Sequence, residues 1–236
     1  MPQPTPRQSF LRGLCDSSPF LLVIVPFALL FGVVGTEAGL SITQVMGFSI
    51  LIVAGASQFA ALQLMIDNAS TVIVLITALV VNLRMAMYSA ALVPHLGAAP
   101  LWQRAIIAYF NVDQTYALSQ VQFEKNPDMP LAHKIAYFFG TAAPVCPAWY
   151  GFTYVGAVAG GAIPPEFALD FAVPITFLAL IAPALKTLAH VAAALTSVVL
   201  ALAFAGLPAG LGLILAAVAA MAVGAQVELW QERRAA

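Results

Sequence analysis

Apolar runs long enough to cross a lipid bilayer follow one another along this chain with little between them. They cover roughly residues 19–36, 43–66, 70–93, 101–122, 137–160, 167–185, 187–205 and 208–228. A helix needs about 20 apolar residues to cross the hydrocarbon core. In that core each segment must satisfy its own backbone polar groups, which favours helices. The chain is therefore read as all-α. It is a polytopic helical membrane protein with six to eight transmembrane helices, eight favoured, forming a single transmembrane domain over residues 1–236. Composition agrees. Of 236 residues, 62% are hydrophobic and only 8% charged, where a soluble domain carries about a quarter charged. The mean hydropathy is +0.95. No segment is polar enough for a soluble domain, so the lipid bilayer is the main partner of the surface.

Other classes are excluded on the same grounds. A net charge of -1 with scattered Lys and Arg argues against nucleic acid. Cys15 and Cys146 have no ligand-like spacing, and His95, His133 and His190 form no His-x-x-x-His pair. No metal and no cofactor is expected. Arg7 and Arg12 followed by the apolar stretch from Pro19 to Val34 look like the first half of a signal peptide. Because further spans follow, this stretch is read as an uncleaved first span.

Turn residues separate the runs at Gly39-Leu-Ser41, Asp67-Asn68, Pro94-His-Leu-Gly97, Pro164-Pro165 and Gly206-Leu-Pro208. The run 101–122 is the most polar, with Arg104, Asn111, Asp113, Gln114, Gln120 and Gln122. Crossing, re-entry and an interfacial position are all open for it. Positive charge sets an orientation. Arg7 and Arg12, Arg233 and Arg234, the loop 123–136 with Lys125 and Lys134, and Lys186 all become cytoplasmic if eight runs cross. Both termini are then cytoplasmic. Seven spans follow if one tail lies on the other side, and six if some runs re-enter.

There is also an internal echo. Shifted by 121 residues, Pro26 meets Pro147, Phe31 meets Phe152, Gly35 meets Gly156 and Gly39 meets Gly160. This suggests two repeats, 19–93 and 140–214, as in transporters that hold substrate between repeats. They are parallel if 101–122 crosses and inverted if it does not.

Ionisable groups inside apolar runs are the candidate functional residues, because each costs about 2.5–3.5 kcal/mol at mid-membrane. Asn82-Leu-Arg84 lies in the third run. Arg84 is ten residues before Pro94, about 15 Å along a helix, near the limit of snorkelling. The alternatives are an ion pair, or capture of a carboxylate by its forked donors. Asn111-Val-Asp113-Gln114-Thr-Tyr116 is the densest polar cluster. Asp113 can pair with Arg84, carry a proton after burial raises its affinity for one, or sit on a solvated interfacial face. Val53-Ala-Gly55-Ala-Ser57-Gln58-Phe59 places small residues and an amide in the middle of a run. It is either a close helix contact or an unwound stretch whose backbone holds substrate. Asp170 opens the sixth run, where the helix dipole favours it. Pro144, Pro147, Pro174 and Pro183 each remove a backbone hydrogen bond.

In these residues the chain resembles the AzlC family, the large subunit of bacterial branched-chain amino acid exporters. The likeness runs from about Phe10 to Pro183. It is carried by Pro26 with Phe31-Gly32, Gly55-Ala-Ser57-Gln58-Phe59, Asn82-Leu-Arg84, Asp113 with Thr115-Tyr116, and Leu169-Asp170-Phe171-Ala-Val-Pro174 with Phe177. Where the family often has Thr-Asp-Glu, this chain has Val112-Asp113-Gln114, so a second carboxylate is absent. The resemblance implies export of branched-chain and similar neutral amino acids across the bacterial cytoplasmic (inner) membrane. It also implies a small AzlD-type membrane subunit as partner. A homo-oligomer is compatible with it.

On this reading the chain is a permease and not an enzyme, driven by a proton or sodium gradient. Gly55, Ser57, Gln58, Asn82 and Arg84 are the expected substrate-binding residues. Asp113 and Asp170 are the expected coupling or ion-pair residues. Three alternatives compete with it: a transporter or channel for another small solute, a non-transporting scaffold subunit, and an intramembrane hydrolase using Ser57 with His190. The hydrolase lacks the tight turn that exposes a nucleophilic serine.

Overall fold

The computed structural model describes residues 5–160, 185, 187–207 and 211–235. All regular structure among them is helical. Contacts divide the chain into two units, Met1–Phe59 with Ala78–Phe167, and Ala60–Thr77 with Ala168–Ala236.

The first unit begins with α1 (Pro6–Ser17). Thr5 and Gln8 cap it reciprocally: Thr5 Oγ1 accepts from the Gln8 amide at 3.3 Å, and Gln8 Oε1 accepts from the Thr5 amide at 2.8 Å. Two of the amides a helix start leaves unpaired are thereby satisfied. A 3-10 turn, Ser18–Phe20, carries α1 straight into α2 (Leu21–Glu37). The expected first span therefore extends a further three turns toward the N-terminus. α2 stops at Gly39, whose φ of 86° is left-handed and suits a residue without a side chain.

Ser41 and Gln44 cap α3 (Ile42–Leu51) in the same reciprocal way. The second run does not continue as one helix. It breaks at residues 52–54 and restarts as α4 (Gly55–Ile66). α5 (Thr71–Leu96) is unbroken. The run 101–122 is also divided, into α6 (Leu101–Tyr109) and α7 (Asp113–Lys125). α8 (Leu131–Gly160) is the longest helix and passes through both Pro144 and Pro147. Neither break coincides with a proline. Proline positions are thus poor markers of where these helices unwind.

The first unit is held together by a seam between α1–α2 and α8. A methyl group on Gly13 would strike the Tyr137 carbonyl, and one on Gly140 the Phe10 carbonyl. Gly32 similarly faces the Thr153 carbonyl, Gly156 the Leu29 carbonyl, and Gly160 the backbone of Val33. Small residues let backbones approach this closely, and helix association in lipid depends on such packing. The partner numbers rise together along both segments, so α1–α2 and α8 run parallel.

Pro6–Glu37 and Thr71–Leu96 are each long and apolar enough to cross a bilayer, and Ile42–Leu51, Leu188–Ala203 and Leu215–Gln231 are shorter apolar helices. The outer face of α5 carries Val72, Leu75, Leu79, Leu83 and Met87 in an exposed stripe, with Leu79 69% and Met87 70% exposed. At helical spacing these residues form one apolar face, the pattern that a lipid-facing helix carries.

In the second unit, α9 (Leu188–Ala203) starts at Thr187, whose hydroxyl accepts from the His190 amide at 3.2 Å. It packs antiparallel to α10 (Leu211–Ala235), with Gly224 against Ala193 and Gly212 against Phe204. The Arg234 guanidinium lies 3.8 Å from the centre of the Trp230 ring.

Candidate functional site

The two helix breaks of the first unit gather half of its buried polar side chains among the described residues. At the first break, Ile52 leaves the helical conformation with φ -128° and ψ 89°. The Ala54 carbonyl accepts from both the Gln58 amide (3.0 Å) and the Ser57 hydroxyl (3.1 Å). Ser57 and Gln58 are fully buried. Gln58 Nε2 donates to Ser49 Oγ at 3.1 Å, and Ser49 Oγ donates to Thr153 Oγ1 on α8 at 3.5 Å. Phe27, Phe31, Phe59 and Trp149 close over this network. Phe27 and Phe59 lie 4.8 Å apart between centroids, and Phe31 meets Phe59 edge-on at 5.3 Å. A side chain at Gly55 would come within 2.8 Å of Phe27 and 2.9 Å of Trp149. Two buried polar atoms, Gln58 Oε1 and Trp149 Nε1, have no hydrogen-bond partner among the described residues.

The second break, residues 110–112, is built by Thr115. Its Oγ1 accepts from the Val112 amide at 2.9 Å and lies 2.9 Å from the carbonyl oxygens of both Phe110 and Val112, to either of which it can donate. A hydroxyl offering the backbone this alternative to the helical ladder holds the chain open locally. Asp113 then begins α7, where a negative charge meets the positive end of the helix. Arg84 Nη2 lies 3.3 Å from Asp113 Oδ2. Arg84 stands near the middle of α5, roughly 18 Å from either end at 1.5 Å per residue. Pairing with Asp113, rather than snorkelling to the surface, is how its charge is met at that depth. Asn111 Nδ2 donates to Ser89 Oγ at 3.2 Å, and the rings of Tyr88 and Tyr116 stack 4.2 Å apart.

This second cluster keeps unused hydrogen-bonding capacity. Arg84 Nε is a buried donor without a partner, while Asn82 Oδ1, Asn111 Oδ1 and Asp113 Oδ1 are buried acceptors without one. Leaving such a group unmet costs about 1–3 kcal/mol. Arg84 Nε and Asp113 Oδ1 belong to the ion pair and Asn111 lies two residues before Asp113, whereas Asn82, two residues from Arg84, projects from a different face of α5.

Tyr109, the last residue of α6, joins the two breaks. Its hydroxyl donates to the Ile50 carbonyl at 2.7 Å and lies 3.0 Å from the Tyr150 hydroxyl on α8.

The expected site residues thus fall into two groups, Gly55, Ser57 and Gln58 at the first break, and Asn82, Arg84 and Asp113 along α5 and the start of α7. Asp170 lies outside the described residues. The sequence reading passed over Ser49, Thr153, Tyr88, Ser89 and Tyr109. Tyr88 stands four residues after Arg84 and Ser89 seven after Asn82, so helical spacing alone put Tyr88 on the face of Arg84 and Ser89 on the face of Asn82. Nothing local marked Ser49, Thr153 or Tyr109. No group of three or more His, Cys, Asp or Glu side chains suited to a metal occurs among the described residues.

No solved structure matches the chain. An uncharacterized membrane protein of Archaeoglobus fulgidus is 32% identical over 199 residues, 83% of this chain and 84% of that protein. The inner membrane protein YgaZ of Escherichia coli is 27% identical over 189 residues, 75% of this chain and 74% of that protein. The family model described as AzlC protein matches residues 19–163, which contain both helix breaks, the Arg84–Asp113 pair and the glycine seam from Gly32 onward. The chain is a membrane protein of the AzlC family.

Proposed function

We propose that the chain is a secondary permease that exports branched-chain and similar neutral amino acids across the cytoplasmic membrane. The observation that carries this reading is the Arg84–Asp113 pair at the middle of α5, with Arg84 Nε and Asp113 Oδ1 still unpartnered. A zwitterion offers the matching pair of charges. Its carboxylate takes the guanidinium and its ammonium takes the carboxylate side chain, so substrate and ion pair exchange for one another at little electrostatic cost. Asp113 is also placed to carry a coupling proton. Gly55, Ser57 and Gln58 form a second half of the site, sealed by aromatic rings in this conformation. Asp170 acts in coupling or pairing, and a small AzlD-type subunit completes the exporter.

Helix direction supports the expected topology. If α2 and α8 both cross, their parallel packing requires an odd number of crossings between them. The three intervening runs, 42–66, 71–96 and 101–125, supply that number if each crosses once. Arg7, Arg12, Lys125 and Lys134 gather at one end of the unit. Arg12 lies 3.8 Å from Asp16, Asp16 accepts from Tyr137, and Lys134 lies over the Phe123 ring. The positive-inside rule makes that end cytoplasmic.

The test is counterflow of labelled leucine in liposomes, with the purified chain alone and with a co-expressed small subunit. Uptake competed by valine and lost in Arg84→Ala supports the reading. No uptake from folded protein in either preparation would sink it, in favour of another solute or a scaffold role.

A further inference from the structure

Each short helix of the first unit shows its direction by what it touches. α3 runs against α2: Val45 meets Gly35 near the end of α2, and Phe48 lies 6.4 Å from Phe31 between centroids. α4 runs with α2. A side chain at Gly55 would strike Phe27, whereas Phe59, one turn later, reaches Phe31 as well as Phe27. The bond from Gln58 to Ser49 joins a residue after the break to one before it. α3 and α4 therefore go in and come back.

The second break repeats this. α6 runs against α5: Asn111 bonds Ser89, Ile107 packs with Leu92 and Leu96, and an open cavity of about 330 Å³ lies along the two helices from Ser89 and Asn111 to Gly97 and Leu101. α7 runs with α5: Asp113 meets Arg84, Tyr116 stacks on Tyr88, and Phe123 lies 5.4 Å from His95. Leu92 and Leu96 near the end of α5, Phe123 near the end of α7, and Tyr137 and Phe138 near the start of α8 share one buried cluster. The α6–α7 pair thus opens at the start of α8. The α3–α4 pair opens at its other end, where Gly160 packs on Val33.

Length agrees. α3 has 10 residues, α4 12, α6 9 and α7 13. At 1.5 Å per residue none exceeds about 20 Å, against about 30 Å for the hydrocarbon core. Non-helical backbone at that depth is tolerated where protein covers it, as Phe27 and Trp149 cover Gly55. Ile50 and Tyr109 each stand about 12 Å along their helices from opposite ends, and their 2.7 Å bond joins the two tips.

We propose that α3–α4 and α6–α7 are re-entrant hairpins that enter from opposite faces and meet tip to tip, and that each is the gate of its own face. Up to Gly160 the chain then crosses three times, as α2, α5 and α8. The single crossing of α5 supplies the odd number that the parallel packing of α2 and α8 requires. The gating rests on the permease reading above; the hairpins do not. With the start of α8 cytoplasmic, α6–α7 is the cytoplasmic gate and carries Asn111 and Asp113 at its tip. α3–α4 is the external gate and carries Gly55, Ser57 and Gln58. Tyr109 is the latch between them.

Two turns report on the hairpins. Exposed Cys15 is replaced by Ser, buried Cys146 is kept as background, and one cysteine is placed at exposed Ser70 or Ala98. A membrane-impermeant maleimide is added to intact cells expressing the full chain, with Ala38→Cys and Asp128→Cys as external and cytoplasmic references. Re-entrant hairpins expose Ser70→Cys to the outside and shield Ala98→Cys until the cells are permeabilised. The reverse pattern means that both segments cross and overturns the proposal, as does equal labelling of the two turns. A variant that fails size exclusion is replaced by an epitope inserted at the same turn, read with antibody before and after permeabilisation. Tyr109→Phe tests the latch. Freed of one hydrogen bond, the gates should leak leucine from loaded liposomes about fivefold to tenfold faster. An unchanged leak with the expected labelling would overturn the gating and leave the hairpins standing. Protein that labels as expected but moves no neutral amino acid would remove the permease reading, and the gating with it, and keep the hairpins.

Discussion

The two helix breaks are alike in outline and opposite in chemistry. The α3–α4 break is uncharged and closed over by side chains. Its polar groups are an amide and hydroxyls, relayed from Gln58 through Ser49 to Thr153, beneath Phe27, Phe31, Phe59 and Trp149. The α6–α7 break is charged and half-exposed, and it adjoins an open cavity between α5 and α6 that Ser89, Arg104 and Asn111 line. Neutral groups cost less to seal in a low-dielectric interior than charges do, even with Gln58 Oε1 and Trp149 Nε1 left without a partner among the described residues. A charge pair there repays its desolvation only with excellent geometry. The difference teaches that an unwound helix is not by itself a binding site. On the proposed reading the break with unspent charge meets the substrate's charges, and the sealed break closes the other half of the site.

The sharpest way to break this contrast is at the charges. Arg84→Ala and Asp113→Asn should each lower leucine counterflow by roughly tenfold to a hundredfold, the worth of a hydrogen bond to a charged group. The double variant Arg84→Ala with Asp113→Ala should regain folded yield without regaining transport. Recovery of transport in the double variant would make the pair a structural clasp and erase the distinction between the breaks.

A second prediction concerns the frame that holds both breaks. Gly156→Leu drives a side chain into the Leu29 carbonyl, which cannot rotate away. Overpacking typically costs about 1–3 kcal/mol, and more where backbone must move. Loss of monodisperse protein on size exclusion is the expected result, and normal yield would contradict the seam.

At the sealed break, Gln58→Leu should change thermal stability in detergent by no more than about 1 kcal/mol. It removes one hydrogen bond and also the orphaned Oε1. A stable Gln58→Leu protein without transport would show the sealed break touching substrate. The smallest effect is expected at Gly151 in α8, whose Cβ position is open. Gly151→Ala should stabilise by up to about 1 kcal/mol through helix propensity, read as a raised melting temperature with unchanged transport.

Much of this arrangement was legible before any coordinates. Arg84 and Asp113 stood out because charge is rare in apolar runs, and each was the natural answer to the other. The small residues around Gly55 marked a place where the second run could unwind, and it does so just before that glycine. The break at 110–112 was not legible, because its cause is the Thr115 hydroxyl and not a proline or glycine. The seam was invisible for a different reason. Periodicity identifies a face of small residues, but Gly32 and Gly156 lie more than a hundred positions apart. The cavity needed α5 and α6 side by side, since none of its aliphatic residues is unusual alone.

The glycine seam has a consequence for motion. Where backbone rests on backbone, there are no rotamers through which two helices can slide past one another by small steps. The α1–α2 and α8 pair therefore acts as a fixed post. Any opening and closing of the first unit falls to the segments around it, at the short unwound stretches 52–54 and 110–112. Tyr109, bonded to the carbonyl of Ile50 two residues before one stretch and standing one residue before the other, ties the two joints to each other.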